Sequence, residues 1–195
     1  MAVLSRIVVK GASGSGKTTL ARRLAERLSL LYVELDALNH GPGWTEASDE
    51  DFATRIEAAT AGDGWVVDGN YERKIGDLVV ERADTIVWLD TPLRLNLARL
   101  GRRTFQRIRD DVELWNGNRE SWRGALWGRE SLFAWAVRSH RRHRRQWPGR
   151  FAAPKFAGVQ LVRLRSTREA DRWLESIPAV DPGAEGREGG RDRAP

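Results

Sequence analysis

Gly11-Ala12-Ser13-Gly14-Ser15-Gly16-Lys17-Thr18, set directly behind the apolar run Val3–Val9, is the stretch whose reading decides the fold of this 195-residue chain. It has the form G-x-x-x-x-G-K-[ST], and the run before it and the helical pattern after it supply the strand–loop–helix setting that a phosphate-binding loop requires. The glycines let the backbone take conformations closed to other residues and turn successive N–H groups inward around phosphate oxygens. Lys17 adds a cation, and the N-terminus of the helix it opens also favours anions. The Thr18 hydroxyl is placed to ligate the magnesium that travels with a nucleoside triphosphate. Gly11 through Thr19 are therefore the expected nucleotide site, with ATP and Mg2+ as the expected ligands.

Working outward, the chain alternates short apolar runs with helical periodicity. Leu20, Leu24 and Leu28 repeat at helical spacing after the loop. Leu30–Asp36 reads as a second strand with an acidic end. Ser48 caps a helix to Ala61 that carries Asp49, Glu50 and Asp51 in its first turn. Gly64–Asp68 and Thr85–Asp90 read as further strands with acidic ends, separated by a short helix over Ile75–Arg82. Pro92 takes the first position of the next helix. Beyond Arg103 the pattern is poor until a helix from Ser131 to Gln146, followed by a strand over Val159–Leu164 and a closing helix over Thr167–Ile177. The tail, 178–195, is rich in Gly, Pro and charge and reads as disordered. One α/β domain over 1–177 follows, an open parallel sheet wound on both faces, with ligands outside the carboxyl ends of the strands.

That geometry gathers Asp36, Asp68 and Asp90 on the edge that holds the loop. Asp68 reads as the partner of Thr18 in organising magnesium, or as a turn residue before Gly69. Asp36 opens the loop where an acceptor would lie and suits acceptor recognition or acid–base work. Asp90 either caps the next helix or enters the site.

The chain has no cysteine, which excludes disulfides, thiolate metal sites and a cysteine nucleophile. No run approaches a membrane span, and the first nine residues read as a strand rather than an export signal, so a cytoplasmic protein is expected. The net charge of +6 is local: residues 99–150 hold fourteen Arg against five acids. Arg102, Arg103 and Arg107 are candidates for a closing lid that stabilises charge developing in phosphoryl transfer. Five of the nine tryptophans (Trp115, Trp122, Trp127, Trp135, Trp147) share that basic half, which keeps a nucleic-acid surface open as the alternative. Trp135 reads as core packing. His140 and His143 have a spacing compatible with a metal but read as part of a solvated basic face.

The P-loop, Leu35-Asp36, Pro42-Gly43-Trp44, Asp68-Gly69-Asn70-Tyr71 and the Arg-rich segment together resemble the small P-loop kinases of the adenylate kinase and shikimate kinase type. They resemble most closely the adenylate kinase-like proteins labelled DNA topology modulation proteins. The resemblance covers roughly 3–177 and implies a sheet of order 2-3-1-4-5, an acceptor site over Asp36–Gly64 and a helical lid over about 99–147. On the reading of the residues, Lys17, Asp36, Asp68, Arg103 and Arg107 are the expected catalytic residues, and Gly69, Asn70, Tyr71, Arg73 and Arg102 are expected to join Asp36 in binding a small-molecule acceptor. Adenylate kinases carry Asp-Gly-Phe-Pro-Arg where this chain has Asp68-Gly69-Asn70-Tyr71-Glu72-Arg73, so the arginine is displaced by one position and the proline is absent.

Overall fold

The computed structural model describes residues 4–126 and 131–180. Five strands, β1 (Arg6–Gly11), β2 (Leu31–Glu34), β3 (Trp65–Asp68), β4 (Thr85–Leu89) and β5 (Gln160–Leu164), form one sheet in the order β2-β3-β1-β4-β5. All pairings are parallel. β1 is central, and its alternate side chains serve opposite faces: Ile7 and Val9 pack under α1 (Lys17–Leu28), whereas Val8 packs with Phe52 and Ile56. The period of two that makes both faces apolar is what a buried parallel strand demands. Leu20, Leu24 and Leu28 of α1 are all buried in that first cluster, as their spacing predicted.

β2 ends two residues earlier than the sequence suggests, and Asp36 lies in the short helix α2 (Leu35–Asn39). The reason is the neighbour: β2 pairs with β3 up to Glu34 opposite Asp68, and beyond Asp68 the partner strand turns off at Gly69, leaving no ladder to join. α3 (Asp49–Ala59) follows, and Ser48 caps it by accepting a hydrogen bond from the Asp51 amide at 3.1 Å. The helix expected over Ile75–Arg82 is instead α4 (Glu72–Ile75) and a separate 3-10 turn, Val80–Arg82. Gly76, at φ 59°, stops the first in a left-handed conformation that Gly adopts without penalty.

The next helix, α5 (Leu93–Arg109), begins after Pro92, whose ψ of 138° is extended. It continues six residues past Arg103. Its buried stripe is Asn96, Leu100 and Thr104, so two of three inward positions are polar, which is why hydrophobic periodicity alone does not reveal its length. α6 (Trp122–Leu126) precedes α7 (Leu132–Phe151), which runs through Pro148 rather than stopping at Gln146. α7 buries His140 and His143 together with Trp147 and Phe151, so the two histidines are not part of a solvated face. Trp135, by contrast, is 39% exposed and faces the cleft described below, not the core. α8 (Thr167–Ser176) closes the first cluster through Ala170 and Leu174. Of the expected tail, residues 181–195 lie outside the described residues, while the Val180 amide bonds the Arg27 carbonyl at 2.9 Å.

Candidate active site

The loop between β1 and α1 takes its shape from glycine. Gly14 (φ 79°) sits so close to α5 that a β-carbon would fall 2.1 Å from the Asn96 carbonyl oxygen, and Gly16 (φ 96°) is the left-handed cap that opens α1. Any side chain at either position meets backbone or strain. The loop borders a cleft of about 1150 Å3 at the carboxyl ends of the strands, lined on this side by Ser13, Gly14, Gly16, Lys17, Thr18 and Thr19. Gly11, Ala12 and Ser15, also expected to contact nucleotide, are buried and do not line that cleft.

Asp68 ends β3 beneath the loop, and the Thr18 hydroxyl donates to its Oδ2 at 2.5 Å. Its Oδ1 is buried and accepts no hydrogen bond among the described residues. Burial pushes the Asp68 carboxyl above the usual carboxylate range against the opposing pull of Lys17 and the Thr18 bond. A buried carboxylate oxygen with no donor, beside a threonine hydroxyl and a lysine, fits a divalent cation held through water. No group of three or more His, Asp or Glu side chains among the described residues could hold a metal alone. The remaining ligands of such a cation would be phosphate oxygens, as for magnesium that arrives with its nucleotide.

Across the cleft, Asp36 is half-buried and accepts a 2.7 Å hydrogen bond from the Tyr71 hydroxyl. Tyr71 stands 3.3 Å from His40 Nε2, and its phenol pKa is raised by burial and by the Asp36 charge. Tyr71 and Arg73 line the cleft, and Arg73 is exposed with no ion pair among the described residues. Asn70 reaches the cleft but its amide is committed elsewhere: Nδ2 donates to the Gly11 carbonyl at 2.6 Å and Oδ1 accepts from the Gly11 amide at 3.4 Å. Gly69 does not line the cleft at all. Its place is set by Leu35, whose Cβ would be 2.7 Å from any β-carbon there. Asn70, through its two bonds, ties the turn after β3 to Gly11 at the start of the loop.

Arg103 and Arg107 project from α5 into the cleft, while Arg102 is exposed and does not line it. Arg107 pairs with Glu120 at 2.7 Å. Arg103 has no ion pair among the described residues, its Nε is buried without an acceptor there, and burial together with the neighbouring Arg107 lowers its pKa. Asp90 neither enters the cleft nor caps α5. It is buried between Arg163, at 2.5 Å, and Arg144, at 3.0 Å.

Three features escaped the sequence reading. Glu34 lines the cleft, its carboxyl raised by burial and by Asp68, with the Trp115 indole as one hydrogen-bond donor and Arg22 at 3.3 Å. His40, Trp44 and Trp115 form an aromatic corner with centroids 5.5 to 6.4 Å apart. A seam of amides also joins the loop after α2 to the segment after α5. Asn118 Oδ1 accepts from the Trp44 amide at 2.7 Å, its Nδ2 donates to the Gly41 carbonyl at 2.9 Å, and Asn116 Nδ2 donates to the His40 carbonyl at 2.5 Å. Of the other basic-half tryptophans, Trp147 is buried, Trp122 is 47% exposed and packs beside Phe105, and Trp127 lies outside the described residues.

Two shikimate kinase structures share this architecture. That from Acinetobacter baumannii, in complex with shikimate, matches with a TM-score of 0.51 and 17% identity over 89% of this chain and 90% of that one. The enzyme from Bacteroides thetaiotaomicron matches with a TM-score of 0.50 and 13% identity over 88% and 94%. At that identity the likeness establishes the fold alone, a five-stranded parallel sheet with helices on both faces. In sequence, 38 residues are 47% identical to a bifunctional pantoate ligase/cytidylate kinase of Gloeobacter violaceus, a match that takes in 20% of this chain and 7% of that protein. No family model matches the chain.

Proposed function

We propose that the protein is an ATP-dependent kinase that transfers the γ-phosphoryl group to a small hydroxyl-bearing acceptor. The observation that carries this reading is that one cleft brings the phosphate loop and Thr18, hydrogen-bonded to Asp68 beneath it, together with Asp36 and Arg103. Lys17 and the loop amides bind the β- and γ-phosphates, and Thr18 with Asp68 would hold Mg2+, which neutralises charge building on the phosphates. Asp36, oriented by Tyr71, accepts the acceptor's hydroxyl proton or hydrogen bond. Arg103 and Arg107 meet the equatorial oxygens, where charge develops in transfer. The corner formed by the rings of His40, Trp44 and Trp115 offers aromatic surface to the acceptor, and Arg73, which has no ion pair among the described residues, offers a cation to any anionic group it carries.

The solved shikimate kinases, small-molecule kinases of the same fold, agree with this reading. The Asp68-Gly69-Asn70-Tyr71 run favours placing the chain near the adenylate kinase-like DNA topology modulation proteins. A nucleic-acid-binding regulator is the weaker reading, because the rings and arginines it needs are divided among cleft, core and surface. No helix among the described residues is long and apolar enough to cross a membrane, and a cytoplasmic site of action fits an ATP-consuming enzyme.

The test is a screen with γ-labelled ATP and magnesium against nucleoside monophosphates and hydroxylated metabolites. Label should move to one of these. Asp36→Asn should abolish transfer while leaving ATP binding in place, and Asp68→Asn should lose magnesium-dependent transfer while the fold survives. Salt-sensitive oligonucleotide binding with no transfer to any acceptor would replace the kinase by the regulator.

A further inference from the structure

Lys10 is the last side chain of β1 before the phosphate loop and is only 2% exposed, in the middle strand of the sheet. A buried ammonium at a position that could hold an apolar residue is costly unless it is fully partnered. Its partners lie on a single turn. Nζ donates to the Gly69 carbonyl at 2.9 Å and pairs with Glu72 Oε1 at 3.0 Å, so one cation fastens both ends of Gly69-Asn70-Tyr71-Glu72. Burial alone would raise the Glu72 carboxyl, yet the charge and hydrogen bond of Lys10 hold it below the usual range. His143 of α7 adds to the same buried neighbourhood from the helix that returns from the lid, stacked on Trp147 with centroids 3.9 Å apart.

The two residues inside the fastened turn point to opposite halves of the cleft. Asn70 holds the phosphate loop through its paired bonds to Gly11. Tyr71 holds Asp36 through its hydroxyl. We infer that the Lys10–Glu72 pair is a positioning device that couples the phosphate half of the cleft to the acceptor carboxylate by keeping Gly69–Glu72 as one rigid piece. An ordered phosphate loop then orders α2 and presents Asp36 in one orientation, and a slack turn lets the halves order separately. Neither Lys10 nor Glu72 lines the cleft, so both act through Asn70 and Tyr71 rather than on the reacting atoms. The inference rests on the nucleotide reading of the loop.

The test follows amide hydrogen exchange with and without ATP and magnesium chloride. In the natural protein the nucleotide should slow exchange in residues 12–19 and, through the turn, by about tenfold in residues 35–39. The apolar pair Lys10→Met with Glu72→Leu should fold, since replacing a buried ion pair by apolar groups is often neutral or stabilising. In it, protection by nucleotide should remain at 12–19 and vanish at 35–39. Glu72→Ala, which frees one end of the turn and leaves Lys10 on the Gly69 carbonyl, should lose part of the effect at 35–39. Equal protection of 35–39 in the natural protein and in either folded variant overturns the coupling. So does protection confined to 12–19 in the natural protein. Absence of any protection at 12–19 in the natural protein overturns instead the nucleotide reading on which the inference stands.

Discussion

The phosphate half of the cleft is made of backbone and buried charge, whereas the acceptor half is made of side chains brought from separate segments. In the first, Gly14 and Gly16 shape a loop pressed against α5, and Asp68 waits beneath it with one oxygen unsatisfied. In the second, Asp36 comes from α2, Tyr71 from the turn after β3, Trp44 from the loop after α2, and Trp115 and Arg103 from α5 and the segment beyond. A binding surface made of main-chain amides suits a group that every triphosphate shares. One made of side chains on several loops can be re-tuned residue by residue and can move. The amide seam at Asn118 ties two of these segments together, the loop after α2 and the segment after α5, through side-chain to main-chain hydrogen bonds.

If that contrast holds, the largest effect on turnover belongs to the acceptor side and spares nucleotide affinity. Arg103→Met removes a cleft arginine of α5 that has no ion pair among the described residues and whose buried Nε has no acceptor there. An arginine that engages only developing charge is worth about a thousandfold in transfer rate. Turnover should fall by that order in the labelled-phosphate assay, with ATP affinity by calorimetry near its original value. Loss of affinity in parallel with turnover would assign Arg103 to ground-state binding. Arg107→Met should cost less, because Glu120 already holds that guanidinium.

On the phosphate side the order reverses. Lys17→Ala should weaken ATP binding by roughly a hundredfold, the equivalent of about 3 kcal/mol for truncating one partner of a desolvated charge pair. The loop itself should stay folded, since its shape comes from glycine and from Asn70. Calorimetry checks this, and unchanged affinity in a folded variant would remove the loop from the nucleotide site.

The same contrast explains what the sequence disclosed. Gly11–Thr18 is a contiguous motif with a strand before it and a helix after it, so the loop and the parallel α/β sheet around it were legible, while the strand order 2-3-1-4-5 came with the family resemblance. The acceptor half is assembled across nearly ninety positions, from Glu34 to Glu120, and contiguity gives no help there. Glu34 was hidden two residues before the strand's expected end at Asp36. Trp44 and Trp115 lay in segments that read only as a loop and as an Arg-rich stretch. Arg102, Arg103 and Arg107 were indistinguishable until α5 acquired a phase, which turns Arg103 and Arg107 inward and Arg102 out. Polar residues on buried stripes misled elsewhere, since His140 and His143 read as surface yet pack into the body of the protein.

A smaller and local effect should follow from opening the seam. Asn118 is 3% exposed and satisfies the Trp44 amide and the Gly41 and Trp115 carbonyls. Asn118→Ala leaves these groups to water at a local cost of about 1–3 kcal/mol. Amide exchange in 40–46 and 113–119 should quicken while the thermal midpoint barely moves, because the seam can open without the sheet. A large fall in the midpoint would mean that lid and acceptor loop belong to the core's cooperative unit.

The smallest effect tests the charge buried under the loop. Burial raises the Asp68 carboxyl in the folded protein, so the folded state holds its proton more tightly than the unfolded chain does. Stability must then fall as pH rises through the interval between the ordinary carboxylate value and the raised one, and stay lower above it. Asp68→Asn keeps the shape, lets Thr18 keep a hydrogen-bond acceptor and removes the titration. The nucleotide-free variant should therefore melt higher than the natural protein at neutral pH, by roughly 2–4 °C for about 1 kcal/mol in a domain of this size. The gain should shrink as pH falls through that interval and disappear once the natural residue is protonated in both states. A natural protein more stable than the variant at neutral pH would show that Lys17 and Thr18 outweigh the burial of Asp68. The phosphate half would then lie relaxed without its ligand, and its contrast with the acceptor half would rest on glycine geometry alone.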